Sequence, residues 1–195
     1  MNPTLILGVI ILALAAYAVS TYNFFQTALT RIKASIQEIG NQLKRQADLI
    51  PNLEASVKGY LSHEKNILAM LSDARKTVTE AAKSNDINKQ GKAAEALSQI
   101  MPQLSVVVES NPELKGNTTV TSLMEELRDT ADKVMYARRT LIDLTADYNV
   151  KIVTVPSNFI ANMFAFKEQP GLKVADMEEA TSVSAEETKS PKISL

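Results

Sequence analysis

The chain has 195 residues, 21 Lys+Arg against 22 Asp+Glu, 45% hydrophobic and 5% aromatic residues, and neither Cys nor Trp. That length holds one globular domain with an appendage and excludes an enzyme with separate cofactor and substrate domains; without cysteine there is no disulfide scaffold, Cys-based zinc finger, iron–sulfur site or thiol nucleophile. A formal net charge of −1 offers no basic excess for phosphates, so nucleic acid is not an expected partner, and six Gly and seven Pro amid plentiful Ala, Leu, Ile, Lys, Gln and Glu favour helix over sheet.

No side chain from Met1 to Thr30 is charged, and Pro3 to Val19 is apolar apart from Thr4. A helix needs roughly 20 such residues to cross the hydrocarbon core, which residues 3 to about 24 supply. Tyr17, Tyr22, Phe24 and Phe25 then mark the membrane interface. The alternative is a cleaved signal peptide, since Ala16-Tyr17-Ala18 has the form that a signal peptidase reads, but no Lys or Arg precedes the apolar run. Arg31, Lys33, Lys44 and Arg45 follow the span with only Glu38 opposing them, which predicts a cytoplasmic C-terminal domain.

Beyond the span, Phe25, Leu29, Ile32, Ile36, Ile39 and Leu43 recur at steps of four and three, and Tyr22 and Ala18 extend the stripe backwards. Span and first soluble helix therefore form one rod of roughly 40 residues, about 60 Å long. Pro51 predicts a break or kink near residues 48 to 51, with Asp48 as the N-cap of the next helix.

A second helix is expected from Asn52 to Ala82, burying Leu53, Val57, Tyr60, Leu61, Ile67, Leu68, Leu71, Ala74 and Val78. After a loop at Ser84-Asn85-Asp86, a third runs from Ile87 to Glu109 and bends at Pro102. Asn117 or Thr118 can cap a fourth, in which Val120, Leu123, Leu127, Thr130, Val134, Ala137, Leu141, Leu144 and Tyr148 keep a 3.5-residue period suited to near-parallel packing of long helices. Pro156 opens a short helix whose Phe159, Ile160, Met163, Phe164 and Phe166 are expected to plug one end of the bundle, or else to meet a membrane or a partner. From Glu168 onward six acids and three lysines, with few large apolar side chains, predict a disordered tail.

Chemistry has little to work with. His63 is the sole histidine and points about 100° away from Glu64 on a helix, so the pair cannot face one metal or one proton; it reads as an ordinary helix residue. No zinc, serine-hydrolase or phosphate-loop motif is present. Lys44, Arg45, Asp48, Lys58, Glu64, Arg75, Arg138 and Arg139 lie near inner helix edges, where they either pair between helices or form solvated faces.

The run Gln42-Leu-Lys-Arg-Gln-Ala-Asp-Leu-Ile-Pro-Asn-Leu53, with Lys58-Gly59-Tyr60 and His63-Glu64 after it, resembles the signature segment of the LemA family of bacterial membrane proteins. Tyr22-Asn23, Ala74-Arg75, Pro112 to Lys115, Ala137-Arg138, Tyr148-Asn149, Pro156, Ile160-Ala161 and Phe164-x-Phe166 follow the family's order, so the resemblance covers residues 1 to about 168. Three departures stand out: the tryptophan often found in the first soluble helix is missing, the usual ARRxYN reads Ala137 to Ile142, and Ala165 replaces the glycine of the terminal F-G-F.

The resemblance implies an all-α protein with a transmembrane anchor (1–24) and an antiparallel bundle of about four long helices (25–168), to which composition adds a disordered acidic tail (169–195). It implies no established catalytic activity. The family-motif positions Lys44, Arg45, Asp48, Pro51, Asn52, Lys58, Gly59, Tyr60, His63, Glu64, Arg75, Arg138, Tyr148 and Asn149 are therefore structural or interaction residues, and no catalytic, metal or cofactor site is expected. The expected role is a single-pass scaffold at the bacterial inner membrane, acting through the lipid bilayer and a homo-oligomer or membrane-protein partner, without a small-molecule substrate. The alternative is an adaptor for a membrane protease.

Overall fold

The computed structural model describes residues 2–60, 65–84 and 86–171. All its regular elements are helical: α1 Pro3–Val57, α2 Lys65–Ala82, α3 Ile87–Ser110, the single turn α4 Pro112–Lys115, α5 Thr118–Val153 and α6 Ser157–Met163. The buried side of α1 carries Thr21, Phe25, Ala28, Ile32, Ser35, Ile39, Leu43, Gln46, Ile50, Leu53 and Val57. Steps of four and three along this set keep one seam facing its partners, as in coiled-coil packing. The main partner along the whole seam is α5; α2 and α3 complete a four-helix bundle with them, and α6 packs against both α1 and α5.

Ser84 and Gln90, at the connection between α2 and α3, reach α1 beside Ile36, Gly40 and Lys44. From that level toward the N-terminus of α1 the body narrows to α1 and α5, with α6 at the end. The starts of α3, α4 and α5 are each capped by a side chain. Asp86 accepts from the amides of Asn88 and Lys89, Asn111 from Glu113 and Leu114, and Asn117 from Thr119 and Val120. These caps offset amide groups that a helix start leaves unpaired.

Pro51 does not end the helix. α1 runs through it to Val57, giving 55 residues and about 80 Å in place of the expected 40-residue rod. Leu49, Ile50, Leu53 and Val57, on both sides of the proline, are buried in the core, and this packing outweighs the lost backbone bond. Asn52 Nδ2 adds a contact of its own, donating to the Asp48 carbonyl at 3.2 Å. Asp48 therefore sits inside α1 and is no N-cap. The chain turns instead at Lys58 to Tyr60, so the helix expected from Asn52 starts at Lys65, and Tyr60 is exposed where burial was expected. Leu61, His63 and Glu64 lie outside the described residues.

Candidate functional site

The end of the bundle nearest the apolar stretch of α1 is built from aromatic rings. Phe25 is fully buried, with its ring centroid 5.5 Å from that of Tyr148 on α5 and 4.7 Å from that of Phe166 beyond α6. Tyr22, one turn earlier, meets Phe164 at 4.8 Å and Phe166 at 5.7 Å. The tilted and edge-on geometries are those that aromatic quadrupoles favour, and each pair adds about 1 kcal/mol beyond area burial. On the outer side, Lys151 Nζ stands 5.3 Å from the centroid of Phe24. Three segments distant in sequence are thus joined at the point where α1 leaves the bundle.

Two backbone devices hold Phe164 and Phe166 there. The amide of Phe166 donates to the Ala161 carbonyl at 2.9 Å and that of Ala165 to Asn162 at 3.2 Å, while Ala165 has a φ of 55°. That pattern is a Schellman ending, with Ala165 in the left-handed position that normally takes glycine. Beyond it, Asn149 clamps the backbone of Gln169 with one donated and one accepted hydrogen bond, each 2.9 Å. Gln169, read from sequence as the start of the tail, is thereby tied to α5. The expected plug is formed only in part: Phe166 packs on the core, whereas Phe159, Met163 and Phe164 are exposed.

Tyr148 is fully buried, and its hydroxyl lies beside the Gln169 side chain without meeting it in a hydrogen bond. Burial pushes its pKa above that of an ordinary phenol.

The remaining motif residues do not converge. Arg45 on α1 donates through Nε, at 2.9 Å, and Nη2 to Glu126 Oε1 on α5; this hydrogen bond and then the charge raise the guanidinium further above its ordinary value. Arg75 on α2 donates to Glu54 on α1 at 3.1 Å. Lys44, Asp48, Asn52, Lys58 and Gly59 are exposed, Pro51 and Ile160 half-buried. Arg138 is half-buried, with its Nε unpartnered among the described residues. Among those residues no three His, Asp or Glu side chains come together as metal ligands.

Hydropathy concealed one polar feature. Gln46 is 1% exposed, neither end of its carboxamide has a partner among the described residues, and it lines a groove of about 230 Å³ between α3 and α5 with Met101, Ser105, Arg128, Asp132 and Met135. Met135, which lines it, and Tyr136, the next residue of α5, are exposed. Only the seam spacing could have revealed Gln46, because its position falls between Leu43 and Ile50 in the 4-3 pattern.

A family model described as LemA family matches residues 35–185. Over 189 residues the chain is 25% identical to magnetosome protein MamQ of Magnetospirillum gryphiswaldense, covering 84% of this chain and 70% of that one. Over 180 residues it is 24% identical to magnetosome protein MamQ 2 of Paramagnetospirillum magneticum, covering 80% of this chain and 66% of that one.

Proposed function

This chain belongs to the LemA family and is membrane-associated, and from that premise we propose that it is a single-pass, non-enzymatic scaffold at the bacterial inner membrane. Its bundle lies on the cytoplasmic side, where it self-associates or holds a membrane-protein partner. The observation that carries this reading is the continuity of α1: its apolar N-terminal residues are exposed, and the same helix continues without a break into the seam of the bundle. A helix that crosses the bilayer and then packs over its remaining length fixes the orientation of everything attached to it.

The groove beside Gln46, bordered by Met101, Met135 and Arg128, and the exposed Tyr136 at the next position of α5 offer a partner methionine, arginine and tyrosine side chains, residue types in which interfaces are enriched. Photo-crosslinking in intact membranes from a benzophenone side chain at Tyr136 is the test. The scaffold reading expects an adduct with a second copy or with a membrane protein. A chain that remains monomeric and yields no adduct at Tyr136, under conditions where the probe is activated, contradicts it.

A further inference from the structure

The antiparallel register of α1 and α5 sets the depth of the far end of α5. Arg45 faces Glu126, Phe25 faces Tyr148 and Phe24 lies under Lys151, so a step toward the N-terminus of α1 is a step toward the C-terminus of α5. Continued by one more turn, this register brings Val153 to Val155 beside Ala18 to Thr21. Accordingly Thr21 is buried and Tyr17 and Ala18 are half-buried, whereas earlier residues of α1 are exposed. A hydrocarbon core of about 30 Å entered near Leu5 ends about 20 residues later, near Phe24. The end of α5 therefore stands roughly 5–10 Å below that boundary, the depth at which amphipathic segments lie.

The sequence of this end suits that depth. Residues 152 to 166 carry no charge, the longest uncharged run after residues 1 to 30, and they are bracketed by Lys151 and Lys167. Val153, Val155, Phe159 and Met163 are 60%, 73%, 65% and 72% exposed. The turn between α5 and α6 satisfies part of its polar groups internally: Ser157 Oγ donates to the carbonyls of Lys151 and Thr154, at 2.6 and 2.9 Å, and lies 3.2 Å from Thr154 Oγ1, while Asn158 Oδ1 has no partner among the described residues. Non-helical backbone at membrane depth needs internal partners of this kind. Asp147, one turn before Lys151, and Glu168, next to Lys167, lie on the bundle side of the two lysines.

We propose that the α5–α6 end is a membrane foot: it inserts into the interface of the leaflet from which α1 emerges, with Val153, Val155, Phe159 and Met163 among the acyl chains and Lys151 and Lys167 at anionic headgroups. A chain gripping the bilayer by a span and a foot cannot swivel about the span. The inference rests on α1 spanning the bilayer, as the scaffold reading has it, and the test separates the two.

The natural chain has no cysteine, so the full-length variants Ile10→Cys, Val155→Cys, Phe159→Cys, Met163→Cys and Lys76→Cys each carry a single environment-sensitive fluorophore. They are placed in single-copy nanodiscs of phosphatidylcholine and phosphatidylglycerol. Shallow doxyl lipids should roughly halve emission from 155, 159 and 163, deep doxyl lipids should do so at 10, and neither should affect 76. Quenching at 10, with 155, 159 and 163 answering only to aqueous iodide, overturns the foot and leaves the span standing. Blue-shifted emission at 155, 159 and 163 without lipid quenching means that protein covers them, which also overturns the foot. No lipid quenching at 10 removes the span, and the foot with it.

Discussion

Asn149 holds Gln169 across 20 residues of sequence by two reciprocal hydrogen bonds of 2.9 Å. The side-chain amide donates to the Gln169 carbonyl and accepts from its amide, so it acts as a short strand partner for a segment that has no regular structure. That clamp sits just beyond Phe166, whose ring packs tilted against Phe25. Replacing Asn149 with Ala should cost about 1–2 kcal/mol. It should also speed hydrogen exchange of the amides of residues 165 to 169, leaving those of α2 and α3 unchanged. Equal protection in mutant and parent would mean that the clamp does not hold the arm.

Phe25 is the ring on which α1, α5 and the arm after α6 converge, and it is fully buried. Phe25→Ala removes contacts with Tyr148 and Phe166 together and leaves a cavity, at a cost of about 3–5 kcal/mol. The corresponding fall in Tm is roughly 10 °C for a chain of this size, measured by circular dichroism in mild detergent. The same substitution at Phe24, which is exposed at 39%, should shift Tm far less.

Ala165 occupies the left-handed position of the Schellman ending at φ 55°. A Cβ there costs about 1–2 kcal/mol relative to glycine, part of which glycine gives back through greater freedom of the unfolded chain. Ala165→Gly should therefore stabilise the protein by about 0.5–1 kcal/mol, read as a small rise in Tm. A fall in Tm would show that the turn at Ala165 differs from the one described.

Tyr148 gives a pH dependence whose sign follows from burial. Its folded pKa lies above the unfolded value of about 10. The stability it contributes is complete below that unfolded value and is lost as pH rises toward the folded one. Tyr148→Phe, which removes a buried hydroxyl without a hydrogen-bond partner among the described residues, should leave stability near neutral pH unchanged or slightly raised. Above pH about 10 it should flatten the alkaline decline seen in the parent. Chemical denaturation across that range distinguishes the two curves.

The seam of α1 was legible in part: Phe25, Ile32, Ile39 and Leu43 are buried as the stripe predicted, whereas Ala18, Tyr22, Leu29 and Ile36 are half-buried and the polar Thr21, Ser35 and Gln46 are buried on the seam instead. Hydropathy alone passes over those three. Pro51 was misread because proline's local cost was judged without the core contacts of Ile50 and Leu53, which the sequence does not display. The clamp of Gln169 was hidden for another reason: a single side chain reaching a backbone 20 residues away leaves no periodic trace. Phe159 to Phe166 showed as one apolar cluster, yet the Schellman ending at Ala165 divides it, turning Phe166 back to the core while Phe159 and Met163 on α6 stay exposed. The glycine-to-alanine change at position 165 was visible, although only the φ angle explains what a glycine would do there.

Whether α1 passes from the bilayer into the bundle as one rigid helix can be read from a single dipolar distance. Spin labels at Leu12→Cys and Lys33→Cys, in full-length protein in nanodiscs, flank the membrane exit. A continuous helix places these positions about 30 Å apart with a single narrow distribution. A broad or much shorter distribution, or mature protein from which residue 12 has been removed, contradicts the account.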